Sequence, residues 1–85
     1  MNAGREELAA LLLAERDAAQ QELAVLTPRQ KQCLTLTAKG YTYQETAELM
    51  GVTWHATRSH MRQVVTRLDC NATEAIVIAV KAGLV

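Results

Sequence analysis

From Arg5 to about Val25 the chain is rich in Ala, Leu, Glu and Gln, residues that form helices readily. Leu8, Leu11 and Leu12 make an apolar stripe there, which fades to Ala18, Ala19 and Leu23 beyond Glu15. This pattern predicts a first helix that stands apart as an added N-terminal element. Clearer punctuation begins at Thr27. That residue suits an N-cap, Pro28 suits the first helical position, and Gln30, three residues on, completes a capping-box pattern. Cys33, Leu34 and Leu36 supply the apolar face of the second helix, and Gly40 is its stop. The arrangement repeats at once: Thr42 caps, Glu45 answers, Ala47, Leu49 and Met50 are expected to face inward, and Gly51 stops the third helix. Thr53 opens a fourth helix carrying Met61, Val64, Val65 and Leu68. Asn71 with Glu74 gives another capping-box pattern, and Ala72 to Ala82 then runs almost wholly apolar to Gly83.

These segments predict an all-α fold: a four-helix domain over residues 26–85, preceded by an extra acidic amphipathic helix over residues 1–25. Eighty-five residues make one small domain, and a hydrophobic share of 49% argues for a folded core. Trp54, Tyr41 and Tyr43 are the aromatic residues, so the core must be Leu, Val, Ile, Ala and Met. One Pro and four Gly make an all-β reading poor. The interval Gly51-Val52-Thr53 is the informative one. A short turn containing Gly between two short helices is the mark of a helix-turn-helix.

The formal net charge is zero, which by itself argues against a nucleic-acid partner. Its distribution argues the other way. Residues 1–25 hold two basic against five acidic side chains, and residues 26–85 hold seven basic against four acidic. An acidic leader thus precedes a basic module. Within the fourth helix no carboxylate occurs from Thr53 to Leu68, a stretch containing His55, Arg58, His60, Arg62 and Arg67. Thr57, Met61, Val64, Val65 and Leu68 share its inward side, which leaves Arg58, Ser59, Arg62 and His55 on the other. Arg58 and Arg62 are i, i+4 neighbours on one face, and a guanidinium fork matches the edge of guanine.

Cys33 and Cys70 stand far apart without zinc-ligand spacing and are expected to be free thiols in a reducing compartment. No metal, cofactor or catalytic triad is expected, and the chain does not read as an enzyme. With no signal peptide and no run of roughly 20 apolar residues, a cytoplasmic location is expected.

The chain from Leu26 to Val85 resembles the LuxR/GerE-type helix-turn-helix family. The resemblance rests on Leu26-Thr27-Pro28-Arg29-Gln30, Ala38-Lys39-Gly40-Tyr41-Thr42, the run Glu45 to Thr53, and Arg58-Ser59-His60. It closes with Asn71-Ala72-Thr73-Glu74-Ala75 and Ala82-Gly83-Leu84. A second resemblance is to sigma-factor region four, which also reads Leu-Thr-Pro-Arg-Gln near its start; the closing helix sets the first family ahead. The LuxR/GerE resemblance implies that the fourth helix is the recognition helix, with Arg58, Ser59 and Arg62 touching bases. It implies that Thr42, Tyr43, Thr53, Trp54, His55 and His60 lie near phosphates. This sequence departs from the family pattern where Thr46 and Thr57 stand for the usual Ile and Val. Ala56 replaces a Thr, and Trp54 and His55 replace polar or charged residues. Trp54 therefore either covers the rim of the domain or reaches DNA.

The last helix is apolar all round and must bury more than one face. The family implies dimers formed there, and Val77, Val80 and Lys81 are the expected contacts on its outer side. The competing cover is internal, with the first helix folding back through Leu8, Leu11 and Leu12. The function expected is a sequence-specific transcriptional regulator, a homodimer on double-stranded DNA. The alternative is a protein-interaction regulator on the same scaffold, docking another transcription factor or RNA polymerase through the N-terminal helix.

Overall fold

The computed structural model describes residues 2–85, with side chains from Gly4 onward. Five helices follow in order among the described residues: α1 (Asn2–Leu23), α2 (Pro28–Ala38), α3 (Tyr43–Met50), α4 (Trp54–Leu68) and α5 (Ala72–Lys81). Their starts follow from the need to pair the free amide hydrogens of a first turn. At α2 the Gln30 amide donates to the Thr27 hydroxyl at 3.2 Å, and the Thr27 amide donates to the Gln30 side chain at 3.0 Å. At α3 the same exchange joins Thr42 and Glu45, at 3.1 and 3.0 Å. The Thr42 amide holds the Glu45 carboxyl below the usual carboxylate range, because it donates to the ionised form. Thr53 caps α4 by accepting from the Ala56 amide at 3.0 Å. Asn71 caps α5 through the Glu74 amide at 2.8 Å, but Glu74 makes no return bond, so this third box is half-formed.

Helix ends are less uniform. Gly40, Gly51 and Gly83 all take positive φ, as stop glycines do. At the end of α4 the left-handed residue is Asp69, φ 52°, where the sequence offered no glycine signal.

The core gathers residues from every helix: Ala19, Leu23, Leu26, Cys33, Leu34, Met50, Met61, Val64, Ala75, Ala79 and Ala82. Leu23 is 1% exposed and Ala19 3%, so the end of α1 belongs to this core. The boundary expected between residues 25 and 26 therefore runs through one packed unit. α1 does fold back onto α5, but not through the leucines expected. The contact lies near its end, where the Gln20 amide group donates to the Ala82 carbonyl at 3.1 Å. Gly83 lies so close to Arg16 that a β-carbon there would meet the guanidinium group at 3.2 Å. Leu8, Leu11 and Leu12 remain 56–58% exposed. Leu49, expected inside, is 57% exposed, because α3 buries Thr46, Ala47 and Met50 instead.

Thr46 and Thr57 are fully buried. The Thr57 hydroxyl donates to the Thr53 carbonyl at 3.2 Å. The Thr46 hydroxyl has no partner, a deficit that costs about 1–3 kcal/mol in a protein interior. Cys33 and Cys70 are free, and burial pushes both thiols up. Among the described residues no helix is long and apolar enough to cross a membrane.

Candidate nucleic-acid interface

α3 and α4 are joined through Gly51, Val52 and Thr53. The turn is closed by the Val52 amide donating to the Ala47 carbonyl at 3.0 Å. Arg29 of α2 adds a brace, donating to the Met50 carbonyl at 3.3 Å at the end of α3. Nothing in the spacing of the sequence marked Arg29 for this work. Gln30, likewise missed as a core residue, is buried and donates to the Gln63 side chain of α4 at 2.9 Å. These two bonds tie the end of α3 and the middle of α4 to α2.

α4 buries Thr57, Met61 and Val64 and leaves Arg58, Ser59, Arg62 and His55 exposed, as its periodicity predicts. Around its first turn lies an aromatic group. The Trp54 ring meets Tyr43 edge-on at 6.5 Å and His55 at 5.1 Å. The Arg58 guanidinium sits over the Trp54 ring, 5.5 Å from its centroid. Trp54 is 38% exposed, so it both covers the rim and remains open to a ligand. Tyr43, Arg58 and Arg62 also line a surface cleft of about 280 Å³ with Met61, Val65 and Ala72.

The other expected contacts divide by position. Thr42 and Thr53 are exposed at the starts of α3 and α4, each hydroxyl accepting a capping amide. The Thr53 O–H is left to donate, whereas that of Thr42 is turned to the Glu45 carboxylate. The starts of both helices also carry the positive end of the helix dipole. His60 is half-buried, and its Nδ1 is enclosed without a hydrogen-bond partner. It therefore stands apart from the exposed Arg58–Arg62 face. Arg67 donates to the Val25 carbonyl at 3.2 Å, which ties α4 back to the end of α1. On α5, Val77, Val80 and Lys81 are exposed on the side away from Ala75 and Ala79. Among the described residues no group of three or more His, Cys, Asp or Glu is placed to hold a metal ion.

Residues 16–68 match the family sigma-70, region 4. The chain belongs to that family. Region 4 is a helix-turn-helix DNA-binding domain, so the turn after α3 and the exposed face of α4 belong to a DNA-binding module. The match starts at Arg16, where α1 reaches the core, and stops at Leu68, the last residue of α4. The block from Asn71 onward, which set the LuxR/GerE type ahead of region four, lies outside the matched residues. No curated protein matches the chain.

Proposed function

We propose that the chain is a sequence-specific transcriptional regulator that lays α4 in the major groove of double-stranded DNA. Arg58, Ser59 and Arg62 read base edges in this reading, and Thr42, Tyr43, Thr53, Trp54 and His55 reach the flanking phosphates. His60, half-buried, serves as a phosphate contact only if its side chain swings outward. The observation that carries the reading is the exposed face of α4, on which two arginines stand one turn apart in a stretch without a carboxylate. Retention on a random-sequence DNA pool is expected to fall steeply with salt, since phosphate contacts release counterions. A chain not retained at low salt would instead favour a protein-interaction regulator on the same scaffold, the reading that zero net charge supports.

The finer likeness to the LuxR/GerE type concerns α5. Its outer side exposes Val77 at 46% and Val80 at 53%, beside Lys81. In this reading two chains meet there across a two-fold axis, one on each half-site. Val77→Glu is expected to change the stoichiometry on DNA from two chains per duplex to one. It would also cost affinity, because linked half-sites bind more tightly than one. Sedimentation of the complexes checks this, and a parent that binds as one chain per duplex would remove the α5 dimer. Val77 is solvent-exposed in the single chain, so the substitution leaves the fold intact.

A further inference from the structure

α1 is longer than the body it packs on. α5 ends against Gln20 and Arg16, and every described residue from Gly4 to Ala18 is exposed. At about 1.5 Å per residue, the segment from Gly4 to Glu15 extends roughly 18 Å beyond that contact. The long dimension of the molecule, 52 Å against 22 and 19 Å, follows from this overhang. It carries Leu8, Leu11, Leu12 and Leu13, each 56–59% exposed. A lone helix of this length is marginal in water without a surface to pack on.

The overhang continues the face that α1 buries in the core. Leu12 and Leu8 stand seven and eleven residues before Ala19, spacings that return to the same side of a helix. Glu6 and Glu7 fall by the same spacing on the opposite side. The charged residues beside the leucine face are Arg5 at one end and Glu15 and Arg16 at the other, and the Arg16 guanidinium is taken up against Gly83. Two such helices laid antiparallel, with a two-fold axis beside Ala10, pair positions whose numbers add to 20. Leu8 then meets Leu12 and Arg5 meets Glu15, each pair occurring twice. Sliding the axis towards Arg16 sets Glu15 on Leu8, and sliding it the other way sets Arg5 on Leu12. A parallel pairing brings like charges together along its length. The face is complementary to itself in one orientation and one alignment.

We propose that the overhanging half of α1 is a self-association surface, where two copies pair antiparallel through Leu8 and Leu12 with Arg5 of each set against Glu15 of the other. Such an interface, about a dozen residues a side, is smaller than a standard stable one, so association is roughly micromolar or weaker. It uses a face distinct from the outer side of α5 and does not depend on DNA.

The test is sedimentation of the full chain, free of DNA, from micromolar to near-millimolar concentration. The parent is expected to dimerise with rising concentration, and Leu12→Glu is expected to abolish the dimer. Glu15→Arg should weaken it roughly tenfold, since two attractive pairs become repulsive ones. Arg5→Glu combined with Glu15→Arg should restore parental association. Val77→Glu should leave it unchanged, which separates this contact from α5 pairing on DNA. A parent that stays monomeric, including one whose leucines are covered only when a different protein is added, overturns the proposal. So does a dimer indifferent to Leu12→Glu, or a double charge exchange that fails to restore it. DNA binding by a monomeric chain would leave the proposed function standing.

Discussion

Removing residues 1–25 is expected to abolish the cooperative melt of this chain, whereas removing residues 1–14 should leave it nearly unchanged. Among the described residues, the shorter deletion takes away only exposed ones of the overhang. The longer one takes Leu23, 1% exposed, and Ala19, 3% exposed, out of the core shared by all five helices. It also removes the bond from Gln20 to the Ala82 carbonyl and the Val25 carbonyl that Arg67 holds. Truncating one buried leucine to alanine costs about 2–5 kcal/mol. A domain of about 60 residues has total stability near the low end of about 5–15 kcal/mol. Losing Leu23 entirely, with its neighbours, therefore consumes the margin. Circular dichroism during thermal and urea unfolding of the two truncations gives the answer. A chain starting at Leu26 that melts with parental cooperativity would show that α1 is an appendage.

That prediction reverses the reading of residues 1–25 that the sequence invites, and the reason is physical. Hydrophobic periodicity weighs side chains by size, so Leu8, Leu11 and Leu12 dominate the apparent stripe. The actual contact of α1 with α5 is made where side chains are small. Ala19 packs into a core that also holds Ala75, Ala79 and Ala82. Close backbone approach of alanine-rich faces has little amplitude in a hydropathy pattern. Helix starts, by contrast, were legible because a cap is a local device. Thr27 with Gln30 and Thr42 with Glu45 form both halves of their boxes within four residues. The stop at Asp69 was not legible, since an αL aspartate has no signature that separates it from an ordinary polar residue. Leu49 misled for another reason. On a helix of eight residues Thr46, Ala47 and Met50 are buried and Tyr43 packs partly against the core, and chain spacing does not say which neighbour covers the rest.

At the candidate interface, the exposed face of α4 could be read from the sequence, because Thr57, Met61 and Val64 define its opposite side. The braces behind this face could not. Arg29 to the Met50 carbonyl and Gln30 to Gln63 span 21 and 33 residues, and no local pattern couples such positions. Nor did charge alone separate the three arginines of α4. Arg67 is engaged with the Val25 carbonyl, whereas Arg58 and Arg62 face outward beside the aromatic group.

Arg58→Ala and Arg62→Ala are each expected to weaken specific DNA binding by about 1–3 kcal/mol, roughly five- to 150-fold. Helicity should not change, because both side chains are exposed and neither is part of the core. Arg58 is the more prepared of the two. Its guanidinium already lies over the Trp54 ring at 5.5 Å, so part of its conformational freedom is lost before DNA arrives. Trp54→Ala should therefore weaken binding through Arg58, and adding it to Arg58→Ala should cost less than the two separate losses summed. Arg67→Ala serves as the contrast. It breaks the bond to Val25 and should lower the melting temperature while leaving discrimination between DNA sequences intact. Competition between a selected site and a scrambled duplex, followed by fluorescence anisotropy at fixed salt, separates the two behaviours. A base-reading arginine, once removed, narrows the gap between the two duplexes, whereas a phosphate contact weakens both equally. Arg58 and Arg62 variants that bind both duplexes as the parent does would show that α4 is not the recognition helix.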